Sequence, residues 1–181
     1  MSRLRVFDER TPERPLSEYT AHEDIARELT ARGVRFERWE TSHPIVPGDP
    51  AEQVIAAYRA HIDRLMAENG YQAVDVISLA PDHPQKGALR EKFLNEHRHS
   101  EDEVRFFVAG QGLFSLHLDD RIYEVLCEKG DLIGVPDNTR HWFDMGPNPS
   151  FVAIRIFTNP AGWVADFTGD QIAQRFPRLD N

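Results

Sequence analysis

The sequence predicts a mainly β fold, a sandwich or barrel of short strands, with two flanking α-helices on its N-terminal side. Three observations predict it. Beyond residue 70 the chain divides into brief apolar runs at 104–108, 113–118, 121–126, 131–135 and 151–157, each bounded by Gly, Pro or Asp. Closely spaced short strands of this kind build all-β domains. Before residue 70, two stretches carry apolar residues at helical spacing. No linker divides the two parts, so 1–181 is expected to be a single domain: a helical N-terminal flank (1–70), a β-barrel core (71–165) and a C-terminal tail (166–181).

The first 20 residues, with Pro12 and Pro15, read as an extended lead-in. Thr20-Ala-His-Glu23 has the form of a capping box, Ile25 and Leu29 follow at helical spacing, and Gly33 suits the position just past a helix end. Val34–Trp39 alternates apolar and charged residues and reads as a strand. Asp49-Pro50-Ala-Glu52 then offers an N-cap, a first-turn proline and a glutamate at the third helical position. Val54, Ile55, Tyr58, Ile62, Leu65 and Met66 form one apolar stripe, ended by Gly70. Tyr71–Ala80 reads as the next strand, and Asp119-Asp120 as a hairpin turn between two later ones.

Composition narrows the function. The chain has 181 residues, 28% charged and 40% apolar, which fits a folded domain rather than a disordered one. A formal net charge of -9 argues against nucleic acid or an anionic membrane as partner. No apolar run approaches the ~20 residues of a membrane span. No signal peptide is visible, so a cytoplasmic location is expected. Cys127 is the single cysteine, which excludes an intrachain disulfide and any multi-cysteine metal site. No heptad seam or interface helix stands out, and a monomer is expected.

The chemistry concentrates between residues 93 and 146. His97 and His99, two apart, share a side on a strand, and Glu103 follows after a turn at Ser100–Asp102. His141 closes a second segment that runs from Gly130 through Pro136. Three imidazoles and one carboxylate suit one divalent transition metal. Scattered surface histidines are the ordinary alternative, and the joint spacing weighs against them. On a strand from 103, Arg105 and Phe107 share the face of Glu103, which aims Arg105 inward. A buried guanidinium needs an anion, either a substrate or an acid such as Glu103 or Glu96. Phe93 shares parity with His97, and Phe143 with His141, so each ring is a candidate wall for a ligand tail as well as ordinary core. Arg155, inside the apolar run 151–157, is either a second anion contact or a paired structural charge. The remaining histidines, His117 among them, are expected at the surface or in caps.

These spacings resemble the two motifs of the cupins: HxHxxxE followed by six residues and Gly110, then Gly130, Pro136 and His141. Asn138 stands where the second motif usually has glycine, and it tolerates a left-handed backbone. Glu91 and Met145 replace the usual glycine and asparagine of the outer motif positions. Within the cupins, FLNEHRHSEDEVRFFVAGQGLF at 93–114, PDNTRHWFDMG at 136–146 and Trp163 resemble the acireductone dioxygenases of methionine salvage. The resemblance implies a double-stranded β-helix (jelly-roll) barrel and one Fe(2+) or Ni(2+) per chain, held by His97, His99, Glu103 and His141. It implies cleavage of acireductone by O2, with Arg105 stabilising the substrate dianion. Phe93, Phe143, Arg155 and Trp163 are the expected substrate contacts. Glu96 and Asp102 are expected to tune metal incorporation and conformational coupling. Another metal-dependent cupin, an isomerase or decarboxylase, and a non-catalytic metal-binding sensor are the competing functions. Both fit less well, because basic residues are few at the site and a purely binding site has less need of Arg105.

Overall fold

The structure is a computed structural model that describes residues 1–159, 161 and 164–180. The strands, in chain order, are β1 (Arg3–Asp8), β2 (Ser17–Tyr19), β3 (Arg35–Arg38), β4 (Ala73–Leu79), β5 (His97–Arg98), β6 (Glu103–Leu118), β7 (Arg121–Glu128), β8 (Asp131–Val135), β9 (Arg140–Asp144), β10 (Phe151–Phe157) and β11 (Asp166–Phe167). Four helices accompany them: α1 (His22–Thr30), α2 (Ala51–Ala57), α3 (Arg59–Asn69) and α4 (Lys86–Leu94).

Every strand pairing is antiparallel, and the strands form two faces. One runs β11-β5-β9-β6-β7-β1-β2. The other runs β4-β10-β6-β8-β3. The 16-residue strand β6 belongs to both. Its first half pairs with β8 and β10, its second half with β7 and β9. Gly110 sits between the halves with φ +69, and a Cβ there would collide with the Ser150 carbonyl, so only glycine fits. This is the jelly-roll barrel expected from the sequence.

Strand alternation sorts the core into layers. Phe107, Phe114, Phe143 and Phe151 point into the barrel with Ile133, Val135 and Ala153. Val104, Phe106, Val108, Leu132, Ile154 and Ile156 point outward and pack beneath Val54, Tyr58, Ile62 and Leu65 of α2 and α3. Burying each such aliphatic side chain contributes about 1.5–3 kcal/mol. Because the second face is covered on both sides, β10 is buried throughout and reads as one apolar run. A third cluster, Phe7, Ile122, Trp142, Ile172 and Phe176, seats the C-terminal segment on the outside of the first face. No helix among the described residues is long and apolar enough to cross a membrane.

Several local expectations are corrected. The lead-in contains two strands: Leu4 and Val6 enter the core, while Arg5 turns outward onto Glu124. Thr20 does not cap α1, because the helix begins one residue later, with Ala21 at the N-cap and no side-chain cap bond. Asp49 accepts the Val46 N–H at 2.9 Å instead of capping α2, whose N-cap is Pro50. The second helix breaks at Tyr58 (φ -112), where the ring packs edge-on against Phe106 at 5.4 Å. The runs 104–108 and 113–118 are one strand, and α4 was not anticipated.

Candidate metal centre

Segments of both faces deliver the site. His97 opens β5 and pairs in register with His141 of β9; His99 follows β5, and Glu103 begins β6. The ring centroids lie 4.5 Å apart for His97–His141, 5.1 Å for His97–His99 and 5.2 Å for His99–His141. One ligand atom from each of the three rings falls within 4.8 Å of the others. Each Nδ1 donates to a backbone carbonyl: His97 to Asn95 at 2.8 Å, His141 to Thr139 at 2.8 Å, and His99 to Val164 at 3.3 Å. That fixes the tautomer and turns each Nε2 lone pair into the cluster, the usual support of a metal-ligating imidazole. Burial pushes the His141 pKa down to about 3, helped by His97, and burial lowers that of His97 too. Both rings are therefore neutral donors at neutral pH.

Glu103 supplies the carboxylate. Its Oε2 lies 3.3 Å from His99 Nε2 and 3.9 Å from His141 Nε2, and it is buried without a hydrogen-bond partner among the described residues. A buried carboxylate oxygen facing imidazole lone pairs without a donor is costly unless a cation fills the gap. The donor set and this orphaned oxygen fit a divalent metal. Oε1 accepts from Arg105 Nε at 3.0 Å and Nη2 at 2.5 Å. Burial alone would raise the Glu103 pKa, but the Arg105 guanidinium holds it well below the usual carboxylate range. Of the two sequence readings of Arg105, the ion pair with Glu103 is the one the geometry displays. Its Nη1 is buried with no partner among the described residues, and its guanidinium lies 4.7 Å from both the Phe114 and Phe143 rings.

A cavity of about 600 Å³ opens beside the imidazoles. Arg105, Phe93, Phe143 and Arg155 line it, with Phe93 edge-on to Phe143 at 6.3 Å. Arg155 stands opposite Arg105 in register and is held by Asp75 through Nε at 2.8 Å and Nη2 at 2.5 Å. Trp163 lies outside the described residues. Glu96 is buried behind His97, whereas Asp102 is exposed and accepts the Asp137 N–H at 2.8 Å. Asn138 has φ +56, the left-handed backbone its position in the second motif requires.

Some of the lining was missed. Val76, Ile77 and Leu79 of β4, and Leu89 and Lys92 of α4, also face the cavity. Nothing in an alternating apolar strand or a short polar helix distinguishes a wall from ordinary core. His117 is a correction: it is buried, not at the surface, because carboxylates from two distant segments enclose it.

A jelly-roll barrel with three converging imidazoles and an adjoining carboxylate defines a metal-binding cupin. Residues 3–165 match the ARD/ARD′ family, and the chain belongs to it. Acireductone dioxygenases of Stutzerimonas stutzeri and of Pseudomonas savastanoi pv. phaseolicola are each 64% identical over all 181 residues of both chains. An acireductone dioxygenase from Bacillus anthracis, solved with a cadmium ion in its active centre, superposes with a TM-score of 0.81. It is 32% identical, and the match covers 92% of this chain and 98% of that one.

Proposed function

We propose that the chain is a metal-dependent dioxygenase that cleaves acireductone, 1,2-dihydroxy-3-keto-5-methylthiopentene, with O2. The observation that carries this reading is the orphaned Oε2 of Glu103 beside three preset imidazoles, backed by a buried arginine that lines the cavity and whose Nη1 has no partner among the described residues. His97, His99, His141 and Glu103 would hold one Fe(2+) or Ni(2+) at the edge of the cavity. When bound, the metal supplies Lewis acidity that eases deprotonation of the enediol and a template that orients it.

The chain's own side chains do the rest. Arg105 keeps Nη1 for a substrate oxyanion while its other nitrogens stay on Glu103, and its guanidinium rests against the adjoining Phe114 and Phe143 rings. A donor already oriented where negative charge gathers needs no reorganisation during reaction. Phe93, Phe143, Leu89 and Val76 give an apolar wall for the methylthioethyl tail. Asp75 holds Arg155 at the same wall, where it adds positive potential for an anionic substrate. With iron the expected products are 2-keto-4-methylthiobutyrate and formate; with nickel they are methylthiopropionate, formate and carbon monoxide. The test is oxygen uptake by apo protein reconstituted with one equivalent of metal and supplied with synthetic acireductone. Stoichiometric O2 consumption and formate release are expected, and metal-loaded protein that consumes no O2 would overturn the reading.

A further inference from the structure

We propose that His117 is a positioning residue for His97, acting through Glu96; the proposal rests on the reading of His97 as a metal ligand. His117 lies near the far end of β6 from Glu103, in the interior. Its Nδ1 donates to Glu96 Oε2 at 2.6 Å and its Nε2 to Glu9 Oε2 at 3.0 Å. Only a doubly protonated ring can donate to both, so an imidazolium is enclosed between two carboxylates. The other oxygen of Glu96 accepts the Thr168 hydroxyl at 2.8 Å, and its main-chain carbonyl accepts the Thr168 N–H at 3.1 Å. Every acceptor atom of Glu96 is thus taken by a donor from another segment.

Along the chain Glu96 sits between Asn95, whose carbonyl sets the His97 tautomer, and His97 itself. Strand pairing takes hold only at the end of this turn. The strand β5 has two residues; it meets β9 through the pair His97–His141 and β11 through Asp166–Arg98 and Phe167–His97. Residues 95 and 96 lie before β5, outside those pairs, where the Thr168 N–H and side-chain contacts orient the chain, and the His117–Glu96 bond is the shortest of the side-chain contacts. Hydrogen-bond partners behind metal ligands typically change metal affinity about 10–100-fold when removed.

The experiment compares His117→Leu, His117→Gln, Glu9→Gln and His97→Ala with the unsubstituted chain. Ni(2+) affinity of each apo protein is measured by competition with a chromophoric chelator, beside its thermal midpoint and near-UV circular dichroism. His117→Leu is expected to fold and to bind Ni(2+) about 10–100-fold more weakly. His117→Gln, whose amide can still donate to Glu96, should recover most of that loss. Glu9→Gln should bind close to normally, since it leaves the Glu96 contact in place. A folded His117→Leu with unchanged affinity overturns the proposal alone. Loss of the fold in both His117 variants also overturns it, by making the residue a fold element. Equal affinity in His97→Ala and the unsubstituted chain overturns the ligand assignment and the proposal together.

Discussion

Arg105→Ala separates the two duties of the guanidinium. In the metal-free protein, Glu103 Oε2 already lacks a donor, and Oε1 depends on Arg105 for both of its hydrogen bonds. Removing the arginine leaves a buried carboxylate with no compensation on either oxygen, and breaking a buried pair from one side costs about 3–5 kcal/mol. For a chain of this length each kcal/mol lowers the thermal midpoint by about 2–4 °C, so the metal-free variant should melt roughly 6–20 °C lower. Metal at Oε2 offsets part of the uncovered charge, so the loaded variant should lose distinctly less. Turnover should fall by about 10²–10³, the usual cost of one charge-stabilising donor. Calorimetry of both forms and oxygen uptake by the loaded one make the measurement. Equal midpoint losses with and without metal would refute the shared-charge reasoning, and undiminished turnover would refute the substrate role.

Three further outcomes are expected. Alanine at His97, His99, Glu103 or His141 should strip most of the metal from purified protein, which elemental analysis reads directly. Reconstitution of one apo preparation with iron and with nickel should give carbon monoxide with nickel alone, because a set of three imidazoles and one carboxylate without thiolate does not select between these ions by softness; headspace gas analysis decides it. Asp144 anchors the C-terminal segment, accepting from Arg90 Nε at 2.7 Å and from the Gly146 and Leu179 N–H groups at 2.9 Å each. Burial opposes its ionisation, but Arg90 and the two N–H groups hold its pKa below the ordinary 3.8. A folded-state value below the unfolded one stabilises above pH 3.8 and fades as pH falls through the depressed value. Asp144→Asn should therefore cost about 1–3 kcal/mol at pH 7, with the gap in thermal midpoint closing under acid.

The convergence of His97, His99, Glu103 and His141 was legible because three of them fall within seven residues and the fourth ends a spaced motif. Parity on β6 was legible for the same local reason: Val104, Phe106 and Val108 meet the helices while Phe107 enters the barrel. What escaped depends on distance along the chain. His117 meets Glu96 across 21 positions and Glu9 across 108, so no window of sequence contains the triad. β1 alternates Arg3 and Arg5 with Leu4 and Val6 much as β3 does, but Pro12 and Pro15 follow it closely and gave the whole segment the look of an extended lead-in. α4 was hidden because none of its residues is buried, which removes the apolar stripe that marks a helix.

The placement of charge follows from β6 serving both faces. Its first residues carry Glu103 and Arg105 into the barrel beside β8 and β10, where Arg105 stands in register with Arg155. Two arginines side by side in an interior repel, and the fold answers each with its own acid, Glu103 for one and Asp75 for the other. The second half of the same strand holds His141 through its pairing with Leu116, and one residue further on His117 turns to Glu96. One continuous strand thereby sets the carboxylate, the buried donor and the backing of two histidines. A substitution that shifts the β6 register at Gly110 should accordingly disturb metal binding and the Arg105 contact together, though the glycine touches neither.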